Sequence, residues 1–114
     1  MPFRLLMMTP EARVLDEDVD GLVLPGADGF LGVLSHHAPM IAVLAPGVLT
    51  ATHAGKATQY VVGDGGVEVG DNRVLIVTDM AVKAADPGDA ETRLDEYLKD
   101  RDRPPLASSG LVDG

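Results

Sequence analysis

The sequence predicts a mainly β protein, an antiparallel β-sandwich followed by a short C-terminal α-helical region. Turn signals built on glycine, proline and asparagine recur about every 8–12 residues through the first part of the chain, which is typical of sandwiches and barrels. Leucine-rich and β-branched stretches lie between these turns. No helix-length segment separates the stretches, so parallel strands would lack the crossovers that they need.

The 114-residue chain is predicted to divide into a sandwich domain at 1-84, a short helix at 85-103 and a flexible tail at 104-114. A chain of this length can bury roughly two-thirds of its unfolded surface, which allows a hydrophobic core. The predicted strands are Phe3–Met8, Ala12–Leu15, Val19–Leu24, Phe30–Leu34, Ile41–Leu44, Val48–Thr52, Ala57–Val62, Gly66–Val69 and Arg73–Thr78. Short turns at Ala54-Gly55-Lys56 and Gly70-Asp71-Asn72 read as hairpin connections, which favours antiparallel pairing.

The second part of the chain carries apolar residues at helical spacing. Asp89 is expected to cap the start of this helix, and Pro104-Pro105 is expected to end it. A helix of about four turns is marginal alone in water, so we expect it to dock on the sandwich. The expected docking residues are Leu94, Tyr97 and Leu98.

Composition excludes several functional classes. The formal charge of −9 comes from 18 acidic and 9 basic residues, and no basic cluster is interleaved with aromatic residues. Binding to nucleic acid and to anionic lipid is therefore disfavoured, because both depend on cationic contacts with phosphate. We also expect no direct lipid insertion. The chain has no cysteine, which removes disulfides and thiolate catalysis. Only four consecutive apolar residues follow Arg4, too few for a signal peptide or a membrane span, so we expect a soluble cytoplasmic chain.

The chemistry-bearing residues form no recognisable catalytic or metal site. His36 and His37 are adjacent and would point apart in a strand, and their neighbours supply no further ligands. The acidic run 16–20 lacks the glycine and glutamate of an EF-hand and is interpreted as a solvated turn. We expect no catalytic residue, no cofactor and no metal. The alternatives are a free-standing module that binds a small ligand and a small metal enzyme using His36, His37 and His53.

Several predicted strands are apolar at consecutive positions. Neighbouring side chains of a strand point to opposite faces, so both faces of such a strand must be covered. One short helix covers only part of one sheet, and we therefore expect a partner on the rest. The runs concerned are Leu5-Leu6-Met7-Met8, Leu22-Val23-Leu24 and Val74-Leu75-Ile76-Val77.

An ordered set of six short blocks between about Phe3 and Lys83 resembles the epsilon subunit of bacterial F-type ATP synthases. No single block is specific, but their order is. The blocks are Thr9-Pro10-Glu11, the run from Leu24 to Leu34, His37-Ala38-Pro39-Met40, Leu44-Ala45-Pro46-Gly47, Gly65-Gly66-Val67-Glu68-Val69 and Val77-Thr78-Asp79.

The resemblance implies a non-catalytic rotor subunit of the central stalk, in a proton- or sodium-translocating enzyme at the cytoplasmic face of the bacterial inner membrane. Its implied partners are the gamma subunit and the c-ring. The implied c-ring contacts are Gly26, Ala27, Asp28, Gly29, Phe30, Leu31 and Gly32. The implied gamma contacts are Val33, His37, Ala38, Pro39 and Met40.

The chain also departs from the family pattern. Phe30 stands where many relatives carry an acidic or polar residue, so a c-ring contact would use the charge of Asp28 or apolar packing of Phe30. Relatives often carry a two-helix arm that inhibits ATP hydrolysis, and some bind ATP through an aspartate and an arginine three residues apart. Here Asp89 and Arg93 are four apart and one helix is visible, so nucleotide binding is not expected. Whether the chain modulates ATP hydrolysis stays open.

Overall fold

The computed structural model describes residues 2–102, which form ten strands in one continuous sheet and one helix. The first five strands are β1 (Phe3–Met8), β2 (Arg13–Val19), β3 (Gly21–Gly26), β4 (Gly29–Leu34) and β5 (Met40–Leu44). The others are β6 (Gly47–His53), β7 (Lys56–Val62), β8 (Gly65–Gly70), β9 (Arg73–Thr78) and β10 (Ala81–Lys83), followed by α1 (Pro87–Arg101). The predicted tail at 104–114 lies outside the described residues.

The sheet folds into a sandwich because β3 belongs to both layers. Its first half, Gly21–Val23, pairs with β6, whereas Gly26 at its end pairs with β5. The strand order is β10-β7-β6-β3-β5-β8-β9-β1-β2, and β4 pairs with β3 as well. One layer therefore holds β10, β7, β6, β4 and the start of β3, and the other holds β5, β8, β9, β1 and β2. The predicted β-sandwich with a short C-terminal helix is confirmed.

The core lies between the inner faces of the two layers. Alternate residues of each strand point inward, as the strand period of two requires. Each fully buried aliphatic side chain contributes about 1.5–3 kcal/mol relative to an exposed one. The largest buried side chains of this core are Leu5, Met7, Leu24, Leu44, Leu49, Ile76, Val19, Val33, Val62 and Val74.

One strand pair departs from the predicted antiparallel arrangement. β1 runs parallel to β9, with Arg4 opposite Arg73 and Met8 opposite Val77. The expectation that parallel pairs need a helical crossover fails here because strands β2 to β8 already form the connection between them. The two predicted hairpin connections do occur, and Asp71 and Asn72 adopt the positive φ values of 51° and 56° that such a two-residue turn needs.

The acidic run 16–20 is not the turn that was predicted. β2 continues through it to Val19, so Asp16 and Asp18 lie on a strand opposite Leu6 and Arg4 of β1. The Arg4 side chain reaches both carboxylates, with Nε 2.8 Å from Asp16 and a terminal nitrogen 3.4 Å from Asp18. These hydrogen bonds raise the pKa of Arg4. Pairing across strands thus holds acidic residues in a sheet that local composition disfavours.

Two other strands differ from prediction. β3 begins at Gly21 and runs through Pro25, whereas Val19–Leu24 was predicted. The Pro25 carbonyl accepts a hydrogen bond of 2.8 Å from the Ala45 backbone N–H, so the proline is held although it donates nothing. β10 was not predicted at all, because its three residues are too few to show a pattern.

The helix starts at a different cap from the one predicted. The N-cap is Asp86, whose Oδ1 accepts a hydrogen bond of 2.8 Å from the Asp89 N–H. Asp89 instead reaches back and accepts a hydrogen bond of 2.8 Å from the Ala85 N–H, and Arg93 donates to it at 3.0 Å. These two contacts lower the pKa of Asp89. Proline is favoured at the first helical position, so Pro87 is the signal that places the N-cap at Asp86, directly before it.

Helix α1 packs on the outer side of β7 and β6. Its Ala90 is buried against Val61, which points away from the main core, and against Ala84. Leu94 packs against this small cluster, together with Val48 and Met80, while Leu98 is half-buried. The helix therefore covers the β6–β7 layer and leaves the other layer bare.

Polar contacts fix the C-terminal half of the helix. The Tyr97 hydroxyl lies 2.8 Å from the Asp64 carboxylate and 3.0 Å from the Asp79 carboxylate, and it accepts the Asp64 N–H at 3.1 Å. Arg101 Nε lies 3.0 Å from the same Asp64 carboxylate. We call Asp64, Asp79, Tyr97 and Arg101 the helix latch. Gly63 makes room for it, since a Cβ there would lie 2.7 Å from Tyr97 Cζ.

Thr78 forms hydrogen bonds with the segment that carries the helix-latch residue Asp64. Its buried hydroxyl accepts the Gly63 N–H at 3.1 Å, and the carbonyl oxygens of Asp64 and Met80 lie at 3.0 and 3.1 Å. This hydroxyl ties the end of β9 to the turn that carries Asp64. A buried hydroxyl with several partners is costly to remove, because the groups it bonds lose a partner that water cannot replace.

We expect Thr78→Val to lower the free energy of unfolding by about 1–2 kcal/mol, since it keeps the shape of the side chain and deletes the hydroxyl. Urea unfolding measures this directly. The matched control is Thr78→Ser, which keeps the hydroxyl and should lose less. Equal stability of Thr78→Val and the unchanged chain would show that the hydroxyl contributes nothing.

Docking of the helix should weaken at high pH, when the Tyr97 hydroxyl loses its proton. Burial, followed by the nearby Asp64 and Asp79 carboxylates, raises the pKa of Tyr97 to about 12 from its ordinary value of 10.0. The folded value lies above the unfolded one, so the stabilisation is complete below pH 10 and is lost as the pH rises toward about 12. Amide exchange of α1 across this range measures the loss.

Tyr97→Phe is the control for this titration, because phenylalanine fills the same space and has no proton to release. Burial also raises the pKa of Tyr60, so the relevant quantity is the difference between the two chains. Protection of α1 that falls equally in both chains would refute a role for Tyr97.

Candidate functional site

An exposed apolar surface lies on the outer side of β5, β9 and β1. Ile41 is 80% exposed, Val43 and Val77 are also exposed, and three neighbours are half-buried. We define the outer apolar face as Leu6, Met8, Ile41, Val43, Leu75 and Val77. Helix α1 packs on the opposite layer, so within residues 2–102 the face stays open to solvent.

Strand register makes the outer apolar face continuous. Ile41 lies opposite Glu68, Glu68 opposite Leu75, and Leu75 opposite Leu6. The next row across the same strands is Val43, Gly66, Val77 and Met8. One end of the face opens into a groove of about 940 Å³. The groove is lined by Arg4, Leu6, Asp16, Pro39, Met40, Ile41, Glu68, Val69, Gly70, Asp71, Arg73, Val74 and Leu75.

A second exposed apolar surface lies on the β3–β4 hairpin. Phe30 is 74% exposed, and Leu34 and Val23 point to the same outer side. We call Val23, Phe30 and Leu34 the hairpin patch. The turn that precedes Phe30 is tight: Gly29 has a φ of 123°, and a Cβ on Gly26 would lie 2.8 Å from the Gly29 carbonyl oxygen. Two glycines thus fix the geometry of the hairpin tip.

The predicted c-ring residues all lie on this hairpin, and they differ in exposure. Those exposed to solvent are Ala27, Asp28, Gly29, Phe30 and Gly32. Gly26 is half-buried, and Leu31 packs against the core. The part of the predicted segment that a partner could contact is therefore the turn and the outward side of β4.

Three of the predicted gamma residues, His37, Ala38 and Pro39, lie in the connection from β4 to β5, and Met40 begins β5. Pro39 and Met40 line the groove at the end of the outer apolar face. His37 Nδ1 lies 2.7 Å from the Ala38 carbonyl oxygen, which holds the ring against its own backbone. His36 has a positive φ of 63°, and its N–H donates to Asn72 Oδ1 at 2.8 Å. This connection therefore leads directly into the face.

The prediction that Val33 contacts a partner is wrong, because its side chain is buried. It is 1% exposed and lies opposite Leu22 in the main core. β4 alternates, so Phe30, Gly32 and Leu34 point outward while Val33 points inward. The sequence run is apolar on both sides and does not reveal which side is buried. A charge at Val33 would destabilise the sandwich itself rather than only a partner contact.

The three histidines do not converge on one site. His53, at the β6–β7 turn, has its Nδ1 3.7 Å from the Asp20 carboxylate, whereas His36 and His37 lie in the connection from β4 to β5. Residues 2–102 contain no group of three or more His, Cys, Asp or Glu side chains placed to hold a metal ion. The paired carboxylates Asp64 and Asp79 are both engaged by Tyr97.

Within residues 2–102, the helix α1 is neither long enough nor apolar enough to span a membrane.

Ile41 and Val43 are exposed residues that the sequence analysis did not assign to a partner. The run from Val74 to Val77 did indicate a strand with two apolar faces. What the sequence could not supply was the order of the strands, which brings β5, β8, β9 and β1 side by side. Scattered outward residues become one surface only through that order.

Comparison with known proteins gives a consistent family. The family described as "ATP synthase, Delta/Epsilon chain, beta-sandwich domain" matches residues 2–84. The ATP synthase epsilon chain of Desulfitobacterium hafniense strain Y51 is 39% identical over 101 residues, which cover 89% of this chain and 73% of that one. The epsilon chain of Pelotomaculum thermopropionicum is 43% identical over 81 residues, covering 71% of this chain and 60% of that one.

Solved structures agree with this family. A chain in the OSCP/F1/c-ring assembly of the Euglena gracilis mitochondrial ATP synthase is similar with a TM-score of 0.70 and 29% identity, covering 93% of this chain and 69% of that one. A chain in the central stalk/c-ring of the Tetrahymena thermophila enzyme shares the fold, with a TM-score of 0.64, 20% identity and coverage of 96% and 85%. Sequence and fold together show that the chain belongs to the ATP synthase delta/epsilon family, as an epsilon-type chain.

Proposed function

We propose that this chain joins the gamma subunit to the c-ring in the rotor of an F-type ATP synthase, at the cytoplasmic face of a bacterial membrane. As an epsilon-type chain it is a central-stalk subunit rather than a catalytic one. The observation that carries the proposed linkage is the outer apolar face, which helix α1 leaves open. The second support is a separate apolar surface on the β3–β4 hairpin.

The gamma subunit is assigned to the outer apolar face. The connection expected to contact gamma ends at Pro39 and Met40, which line the groove, and β5 then continues with exposed Ile41 and Val43. Centres of stable protein interfaces are depleted of charge, and the one charged residue that lies between members of this face is Glu68. Charged residues such as Arg4 and Asp16 stand at its margin and form a polar rim.

The c-ring is assigned to the hairpin patch and its turn. Phe30 projects from the tip beside exposed Asp28, so the contact can use apolar packing, a charge, or both. The turn requires glycine at positions 26 and 29, because a Cβ on Gly26 would lie 2.8 Å from the Gly29 carbonyl oxygen and Gly29 has a φ of 123°. A larger residue at either position would therefore change the shape of the proposed contact.

Strand β3 connects the two assigned surfaces mechanically. It pairs with β4 along its whole length, with β6 at its start and with β5 at its end. A force on the hairpin tip therefore passes through backbone hydrogen bonds into both layers of the sandwich. The layer that begins with β5 carries the outer apolar face. Torque between the two partners would thus be borne by the sheet rather than by a flexible loop.

The two assignments predict separable effects of single charges. Val43→Asp should raise the Kd for the purified gamma subunit about tenfold or more, because it places a carboxylate in the centre of an apolar contact. Binding to the detergent-solubilised c-ring should change little. Phe30→Asp should show the reverse pattern. Titrations of the full chain against each partner measure both constants.

Ala57→Asp serves as the matched control, since Ala57 is exposed on β7, outside both surfaces. All three variants should unfold at similar urea concentrations because each replaced side chain is exposed. If Val43→Asp binds gamma as tightly as Ala57→Asp does, the assignment of gamma to the outer apolar face is wrong.

A further inference from the structure

Glu68 is an isolated charge within the outer apolar face. Its side chain is exposed on β8 and lies opposite Ile41 on one side and Leu75 on the other. None of the ion pairs formed within residues 2–102 includes its carboxylate. In the free chain water solvates this group. A partner that covers Ile41 and Leu75 must also cover Glu68, and the water is then removed.

Among residues 2–102, no cation forms an ion pair with Glu68. Arg4 is engaged by Asp16 and Asp18. Arg73 stands two residues before Leu75, diagonal to Glu68 across the β8–β9 pair, yet it makes no ion pair with Glu68 within 4.0 Å. Arg73 also lies opposite Arg4, at the margin of the face.

A carboxylate that loses its water without gaining a cation strongly opposes association. A site that binds only through apolar contacts would be served better by an uncharged residue at this position. Glu68 therefore carries information about the partner: the surface that covers it must supply positive charge at this point.

The shape of the face beside Glu68 narrows the description of the partner. Gly66 lies between Val43 and Val77 in the neighbouring row and has no side chain, so a shallow trough of about 230 Å³ opens beside Glu68. A Cβ on Gly66 would meet nothing nearer than the Ala42 carbonyl oxygen at 4.0 Å, which shows that the trough is open space. It can receive an apolar side chain from above.

We infer that the gamma subunit presents a lysine or arginine to Glu68, next to an apolar side chain that enters the trough above Gly66. This inference rests on the proposed function, because it takes gamma as the occupant of the outer apolar face. It adds that Glu68 selects the partner by charge, and that the apolar residues around it supply most of the contact area.

Replacing Glu68 tests the inference with the full 114-residue chain and its cognate purified gamma subunit. Glu68→Gln and Glu68→Leu should each raise the Kd about 30-fold or more, since each leaves a cation of gamma buried without its partner. Glu68→Lys should weaken binding further. Glu68 is exposed, so these variants should keep the urea midpoint of the unchanged chain.

Glu68→Leu best distinguishes a gamma subunit that supplies a cation to this position from one that does not. If gamma supplied no cation, Glu68→Leu would remove the cost of desolvation and would tighten binding. Tighter or unchanged binding by Glu68→Leu, with Val43→Asp still weakening it, would overturn the inference and leave the proposed function standing. If neither Val43→Asp nor Glu68→Lys changed the Kd, the proposed gamma site itself would fail.

Arg73→Gln is the control for neutralisation within the chain. The inference expects its effect on the Kd to be small, because Arg73 lies at the margin. A loss of affinity with Arg73→Gln that equals the loss with Glu68→Gln, and no additional loss in the double variant, would assign the charge pair to Arg73 and overturn the inference.

Discussion

The structure depends on one constraint: three strands of the β5-β8-β9-β1 layer, β5, β9 and β1, carry apolar side chains on both faces. Their inward residues, such as Leu5 and Ile76, are needed for the core that holds the two layers together. Their outward residues, such as Ile41 and Val77, are left exposed because the chain's one described helix packs elsewhere. A layer of this kind stabilises the fold through its inner face and presents an apolar surface to a binding partner through its outer face.

The position of helix α1 gives this constraint its consequence. The helix is held on β6 and β7 by Ala90 and Leu94 and by the helix latch around Tyr97. Because Tyr97 meets carboxylates that follow β7 and β9, the attachment is specific in place as well as apolar. The outer faces of the two layers therefore differ. The chain's own helix covers one of them, and under the proposed function a partner covers the other.

Sequence reasoning predicted the fold class, most strands and the helix, because strand alternation, turn residues and helical spacing are local properties. It failed where long-range pairing decided the outcome. Asp16 and Asp18 lie in a strand because β2 pairs with β1 and buries Leu15 and Val19, while the Arg4 side chain contacts both carboxylates. Strand β1 also pairs in parallel with β9, which lies nearly 70 residues away in sequence. Val33 was misplaced because an apolar run does not show which of its faces is inward. The outer apolar face could not be predicted without knowing the order of the strands, which the sequence pattern does not show.

The most direct test of the central claim, that the outer apolar face receives the gamma subunit, is solvent protection of methyl groups measured by NMR. The chain would be titrated with gamma in the presence of a soluble paramagnetic agent, and the methyl signals of Ile41, Val43, Leu75 and Val77 would be followed. The account predicts that these methyls become protected while Leu94 on the helix does not change. Protection confined to the helix, with Ile41 and Val43 still reached by the agent, would contradict it.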